Sequence, residues 1–177
     1  MSDAFTVLWT HDTCRALRKG GRVGARPSVA FSGVHSSLPA WSGAAAGDQV
    51  YALHVNRGEV FVLTRMEVID RERGECCGKG PATWQDPVFP GHDDWAMLGA
   101  DGCGAEAVHV DATPVAFDRP IPGELLAGLT WRNRRGRIRG LKYVEEGRLV
   151  HSISLQGFYR LTQESADELA RLFGDAE

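Results

Sequence analysis

The sequence predicts an α+β domain, mostly strands, with a helix near each end. Three observations carry that reading. Twenty-one glycines among 177 residues call for frequent turns, hence many short strands rather than a helical bundle. Two apolar runs, residues 49–55 and 59–70, flank an Asn56-Arg57-Gly58 turn, the pattern of a β-hairpin whose glycine supplies a positive φ. Near the end, Ala166, Leu169, Ala170, Leu172 and Phe173 recur at helical spacing behind a Thr162 cap, with Glu164 in the first turn and Gly174 as the stop. Such a stripe is built to cover a sheet or close a barrel end.

The other elements follow from local chemistry. Residues 5–9 read as the first strand. A helix runs from a Thr10 cap to about Lys19, with Asp12 near its positive end, and Gly20-Gly21 stops it. Residues 22–28 are a basic loop and 29–31 a short strand. Residues 32–48 form a long loop of the size that often carries function. Residues 71–106 read as an irregular excursion, broken by glycine and proline. Residues 107–110 and 113–117 are strand pieces. Pro120 and Pro122 lead into a short helix with Leu125, Leu126 and Leu129 on one face, Gly147 marks a turn, and residues 148–155 read as a strand. The whole chain, 1–177, is read as one domain.

Composition excludes several classes. Hydrophobic residues make up 43% and charged residues 24%, close to globular averages. No apolar run approaches the roughly 18 residues of a membrane span, and the first residues lack a basic start before an apolar stretch, so no secretory leader is expected. Cys14, Cys76, Cys77 and Cys103 show no framework spacing, which points to a reducing, cytoplasmic setting. Cys76, Cys77, His92, Cys103 and His109 are zinc-ligating types without a Cys-x-x-Cys, so no metal is expected. Cofactors are not expected either, because no glycine-rich phosphate loop, serine elbow or His-Glu-x-x-His pattern occurs. His11 and Cys14 stand three apart on the first helix, but a nucleophile pair needs a third orienting group. Cys14 is better read as a buried helix residue.

Residues 47–53, Gly-Asp-Gln-Val-Tyr-Ala-Leu, followed by 58–63, Gly-Glu-Val-Phe-Val-Leu, and Met66-Glu67-Val68 resemble the PUA-like superfold, which includes the ASCH, EVE and YTH domains. Those domains place an early helix and a long loop before a Gly-Asp-x-Val hairpin, as this chain does over about residues 5–70. The resemblance implies a small mixed, partly closed β-barrel flanked by short helices with a C-terminal helix. It also implies a cleft for RNA, modified DNA or a nucleoside. Residues 20–26 lack the lysine and glutamate of the ASCH pattern Gly-x-Lys-x-x-Glu-x-Arg, which sets a binding role ahead of a hydrolytic one.

Net charge is −3, yet eleven of the 20 lysines and arginines fall in two short stretches. One holds Arg15, Arg18, Lys19, Arg22 and Arg26. The other holds Arg132, Arg134, Arg135, Arg137, Arg139 and Lys142, headed by Trp131. Guanidinium forks pair with phosphates, and an indole offers a face to a base. If the second run is extended, Arg135, Arg137 and Arg139 share a face; otherwise it is a solvated loop. Trp41, with Ser32, His35, Phe31 and Asp48, is a candidate base pocket, against the plainer reading that each tryptophan anchors its loop. The expected function is a nucleic-acid or modified-nucleobase binding module, with RNA or DNA as partner and no membrane. The alternatives are a hydrolase acting on a nucleoside amide or RNA, with Lys19, Glu59 or Glu67 as its charged groups, and a protein-interaction domain.

Overall fold

Ala4–Leu8 forms the first strand, β1, and its side chains alternate. Phe5 and Val7 enter one apolar core, while Ala4 and Leu8 border a second. Strand residues point alternately to opposite faces, so a sheet built on this strand has two faces to cover. In the computed structural model, which describes residues 2–32, 41, 43–73 and 106–174, both are covered. His35, Trp84, Trp95, Cys76, Cys77, His92 and Cys103, and nearly all of the 71–106 excursion, lie outside those residues.

The remaining elements are α1 (His11–Lys19), β2 (Val29–Ser32), β3 (Gln49–Asn56), β4 (Glu59–Arg73), β5 (Glu106–Ala112), α2 (Gly123–Gly128), β6 (Thr130–Arg132), β7 (Ile138–Gly140), β8 (Val144–Glu145), β9 (Arg148–Leu149), β10 (Phe158–Arg160) and α3 (Gln163–Gly174). Six strands make one mixed sheet in the order β10-β1-β3-β4-β5-β2. The β1–β3 pair is parallel and the others antiparallel. The sheet curls into a partly closed half-barrel. Strand β4 shifts register against each neighbour, between Ala52 and Leu53 on one side and between Val68 and Asp70 on the other; such bulges bend a strand and increase its twist.

The expected hairpin is the β3–β4 pair, closed by Asn56 and Glu59. Both of its loop residues have positive φ, Arg57 at 51° and Gly58 at 84°, the geometry that matches strand twist in two-residue loops. Asp48 explains the glycine-aspartate turn before β3. Its carboxylate accepts the Asp3 N–H (2.7 Å) and the Ala45 N–H (2.8 Å), which locks the entry to β3 against the start of β1. Helix α1 is capped as expected, with the Thr13 N–H donating to Thr10 Oγ1 at 3.2 Å. Cys14 and Leu17 seat it on the first core.

The second core holds α2, α3 and Trp131. Trp131 is 1% exposed, and its Nε1–H donates to Thr6 Oγ1 at 2.9 Å. At the start of α3, Thr162 Oγ1 accepts the Ser165 N–H (3.4 Å). Ser165 Oγ in turn accepts the Thr130 N–H (2.9 Å), so the helix cap and β6 are joined.

The structure departs from the sequence reading at three places. Residues 113–117 are not a strand: Pro114 has no N–H to give a ladder, and the neighbouring donors scatter, Thr113 to Arg65, Val115 to Ala25 and Ala116 to Leu63. Residues 148–155 hold only the two-residue β9, then a 3₁₀ turn at Ser152–Leu155 that buries Leu155 in the second core. The basic run is neither a plain extended strand nor a loop but the hairpin β6–β7. Beyond it, the β8–β9 turn abuts α2, where a Cβ at Gly123 would stand 2.8 Å from the Gly147 Cα.

The Trp131–Thr6 bond generates a prediction. Thr6→Val leaves a buried indole N–H without its acceptor and is expected to cost about 1–3 kcal/mol, whereas Trp131→Ala is expected to cost about 3–5 kcal/mol. Denaturant unfolding reads both, and a Thr6→Val protein as stable as wild type would show that the bond contributes nothing.

Candidate nucleic-acid interface

Strand β10 lies at the sheet edge and carries side chains to both faces. Phe158 packs against the first core and Tyr159 against the second. On its outer side Leu161 bridges to Trp131, and the Thr162 N–H donates to the Thr130 carbonyl at 3.1 Å. This brings the basic hairpin alongside the edge. A cleft of about 280 Å³ opens there, lined by aromatic Phe5, Trp131, Phe158 and Tyr159 and by Arg132, Arg134, Arg139 and Arg160, with Gly43 and Asn133. That volume lies at the small end of ligand pockets, which span about 300–1,000 Å³.

The aromatic side is layered. Phe5 stacks on Phe158 with centroids 4.6 Å apart, and Phe158 stacks on Trp41 at 5.1 Å. The Arg160 guanidinium lies over Phe5 at 5.5 Å. Arg139 lies over Tyr159 at 3.9 Å and over Trp131 at 5.6 Å. Gly157 lets the Tyr159 ring fold back over the chain: its φ is +127°, and a Cβ there would stand 2.7 Å from the ring. The Tyr159 hydroxyl donates to the Gln156 carbonyl.

The electrostatics are one-sided. Asp3 meets two of the arginines, Oδ2 lying 3.2 Å from Arg160 and Oδ1 3.9 Å from Arg132. Arg139 donates to the Ser154 carbonyl at 3.4 Å. Arg134 has no carboxylate partner among the described residues. Among the described residues, four guanidinium groups thus gather near one carboxylate, which leaves the cleft with a positive local field. Among the described residues, no carboxylate, imidazole, thiol or amine lines the cleft.

The residues singled out from sequence separate into groups. Arg132, Arg134, Arg139 and Trp131 line the cleft, Trp131 as its buried floor rather than an open stacking face. Arg135 and Arg137 sit in the hairpin turn, where Asn133 Oδ1 accepts both of their backbone N–H groups (2.9 and 3.0 Å). The shared face expected of Arg135, Arg137 and Arg139 does not form, because the chain turns between them. Trp41 is 2% exposed. Its N–H donates to Ser32 Oγ at 2.9 Å and its carbonyl accepts from Arg71, so Trp41 anchors its loop and Ser32 is buried beneath it. Arg26 donates to the Ala112 carbonyl at 3.0 Å, and the Arg22 N–H reaches Leu17. Both belong to the segment packed on the first core, and neither lines the cleft.

Of the charged groups weighed for hydrolysis, Glu67 accepts from Gln49 (3.1 Å) and Glu59 lies 3.9 Å from Arg148; neither they nor Lys19 line the cleft. The Cys14 thiol is pushed up to about 12 by burial, against the pull of Arg18, so it is no nucleophile at neutral pH. No group of three His, Cys, Asp or Glu side chains among the described residues could hold a metal ion, and no helix among them is long and apolar enough to cross a membrane. Sequence reading missed Phe5, Phe158, Tyr159, Arg160 and Asp3. The available signal was the alternating Phe158-Tyr159-Arg160 triplet after Gly157.

No protein-family model matches the chain, and no curated protein matches it. Among solved structures it is similar to an ASCH protein from Zymomonas mobilis, at 12% identity and a TM-score of 0.39, over 96% of this chain and 94% of that one. It is also similar to the YTH domain of a Zygosaccharomyces rouxii protein, solved in complex with N6-methyladenosine RNA. There the identity is 13% and the TM-score 0.41, over 99% of this chain and 87% of that one. ASCH and YTH are two of the domain types that the sequence resembles. At such identities and scores the likeness carries no argument about the cleft, which rests on the chain's own residues.

A second titratable group lies away from the cleft. His54 is 2% exposed, its Nδ1 lies 3.4 Å from the Trp9 carbonyl, and its Nε2 has no partner among the described residues. Burial, with Arg18 and His11 nearby, holds the imidazole below the ordinary 6.5, against the pull of the Trp9 carbonyl. Below about pH 6.5 the unfolded chain therefore takes up a proton that the folded chain resists. Stability should fall as pH drops through that value and level off beneath the folded one. Thermal melts from neutral to mildly acidic pH are expected to fall less steeply in His54→Phe than in wild type; parallel curves would remove His54 as the cause.

Proposed function

We propose that the protein is a nucleic-acid-binding module whose edge cleft holds a phosphate and the adjoining base of a single strand of RNA or DNA. The carrying observation is the convergence of Arg132, Arg134, Arg139 and Arg160 over an aromatic floor, with Asp3 the single carboxylate paired to them among the described residues. Guanidinium forks meet phosphate oxygens in two-point, charge-assisted bonds. A base then stacks on the Arg139 plane, itself backed by Tyr159, since bases stack on guanidinium as on aromatic rings. A modified base fits this reading if its added group meets Phe5 or Phe158. Duplexes hide their bases, whereas a single strand offers both phosphate and base face. The described lining is guanidinium and aromatic in character, and its one phenol, Tyr159, is turned onto the Gln156 carbonyl, which supports binding as the reading.

Fluorescence anisotropy with labelled single-stranded oligonucleotides across a salt series tests this. Wild type is expected to bind with affinity that falls steeply as salt rises. The Arg132→Gln/Arg160→Gln double variant should bind at least about tenfold more weakly. Its salt slope should be shallower by about 0.7, the change for the one phosphate that the variant no longer neutralises. Salt-insensitive binding, or a variant indistinguishable from wild type, would overturn the proposal.

Asp3 supplies a test of opposite sign. Its ion pairs are partly exposed and worth little to the fold, so its main effect is to offset the charge that a phosphate seeks. Asp3→Asn is expected to tighten binding about two- to tenfold. Weaker binding would mean that Asp3 chiefly orients the two arginines.

A further inference from the structure

Six large apolar residues are exposed among the described residues, and four of them, Ile138, Tyr143, Val150 and Ile153, fall between positions 138 and 153. That stretch begins at the cleft and leads away from it. Tyr143 stands out within it. It is 51% exposed and its φ is +63°, a left-handed conformation that is sterically costly for an aromatic residue and tends to cluster where a ligand is clamped. The backbone is held there: the Tyr143 carbonyl accepts the Val150 N–H at 2.8 Å, immediately beside the two-stranded β8–β9 pair. The His151 ring meets Tyr143 edge to face, with centroids 5.4 Å apart and planes at 82°.

Tyr143 is also coupled to the cleft through Ser154. The Ser154 carbonyl accepts from Arg139, a cleft residue, at 3.4 Å, and Ser154 Oγ donates to the Lys142 carbonyl at 3.3 Å. Tyr143 lies four positions after Arg139, so at full extension their Cα atoms are at most about 14 Å apart. In the sequence Arg137, Arg139 and Lys142 precede Tyr143 and Arg148 follows it, against Glu145 and Glu146. Arg148 is drawn toward Glu59, 3.9 Å away.

We infer that Tyr143, buttressed by His151, is a second base platform, which stacks a further base of the same single strand whose phosphate and neighbouring base sit in the arginine cleft. An exposed aromatic ring on a left-handed backbone, in a basic stretch of chain that starts at the guanidinium cleft, fits a polyanion with flat hydrophobic faces. Pairing an aromatic face with a basic track is how single strands are held without regard to sequence. The inference rests on the cleft reading and extends it from one nucleotide to a strand.

The experiment compares uridine monophosphate, which is small enough for the cleft alone, with a labelled oligouridylate, on full-length wild type and variants. Tyr143→Ala is expected to weaken oligouridylate binding about 5- to 150-fold, the range for removing one stacked base, and to leave the mononucleotide unchanged. Tyr143→Phe should keep wild-type affinity. Tyr143→Gly, which accepts the left-handed backbone without strain, should match Tyr143→Ala, showing that the missing ring rather than a disturbed turn is responsible. If Tyr143→Ala and Tyr143→Gly bind the oligouridylate as wild type does, while Arg132→Gln/Arg160→Gln does not, the second platform is overturned and the cleft stands. If wild type binds neither probe, the cleft reading fails and this inference with it.

Discussion

The buried indole of Trp131 is the contact on which the rest of the arrangement depends. The residues around it form the most arginine-rich stretch of the chain, and nothing in a run of charged side chains compels it to approach a sheet. The indole does so by filling the second core and donating to Thr6 Oγ1 on β1. Burying so large a side chain is strongly favourable. The hydrogen bond fixes the ring's orientation as well as its depth. With Trp131 seated, Arg132 and Arg139 must emerge at the edge of the sheet, and the hairpin turn projects beyond.

The edge strand completes what the indole begins. Because β10 alternates, three consecutive residues supply a first-core aromatic, a second-core aromatic and an arginine. The cleft therefore wraps the sheet's edge and draws on both cores at once. Asp48 contributes from a distance: by holding the Asp3 N–H it places the Asp3 carboxylate between Arg132 and Arg160. The earlier basic stretch, with Arg22 and Arg26, packs on the first core with α1, and neither arginine lines the cleft.

Features set by neighbours in sequence were legible before the structure. The Gly47-Asp48 turn, the Asn56-Arg57-Gly58 hairpin, the Thr10 and Thr162 caps and the stripe on α3 are local chemistry with few solutions. The half of the site in residues 131–139 could also be read, since a dense run of guanidinium groups is conspicuous in any chain. What could not be read is partnership. Thr6 and Trp131 are 125 residues apart, and a tryptophan heading a basic run looks the same whether it offers a face to a base or is itself the anchor. Trp41 posed the same question and received the same answer. Phe158-Tyr159-Arg160 is too short to announce a strand, and its value comes from lying beside β1 and β6.

The near contact of Gly123 with Gly147 bears on how the surface responds to a partner. Two main chains that pass this closely leave no room for a side chain at either position, so both must remain glycine. The outer ribbon thereby rests directly on the start of α2. A surface built on so close a backbone contact has less freedom to surrender when a partner associates. Recognition here should resemble a key entering a fixed lock more than a hand closing on its object.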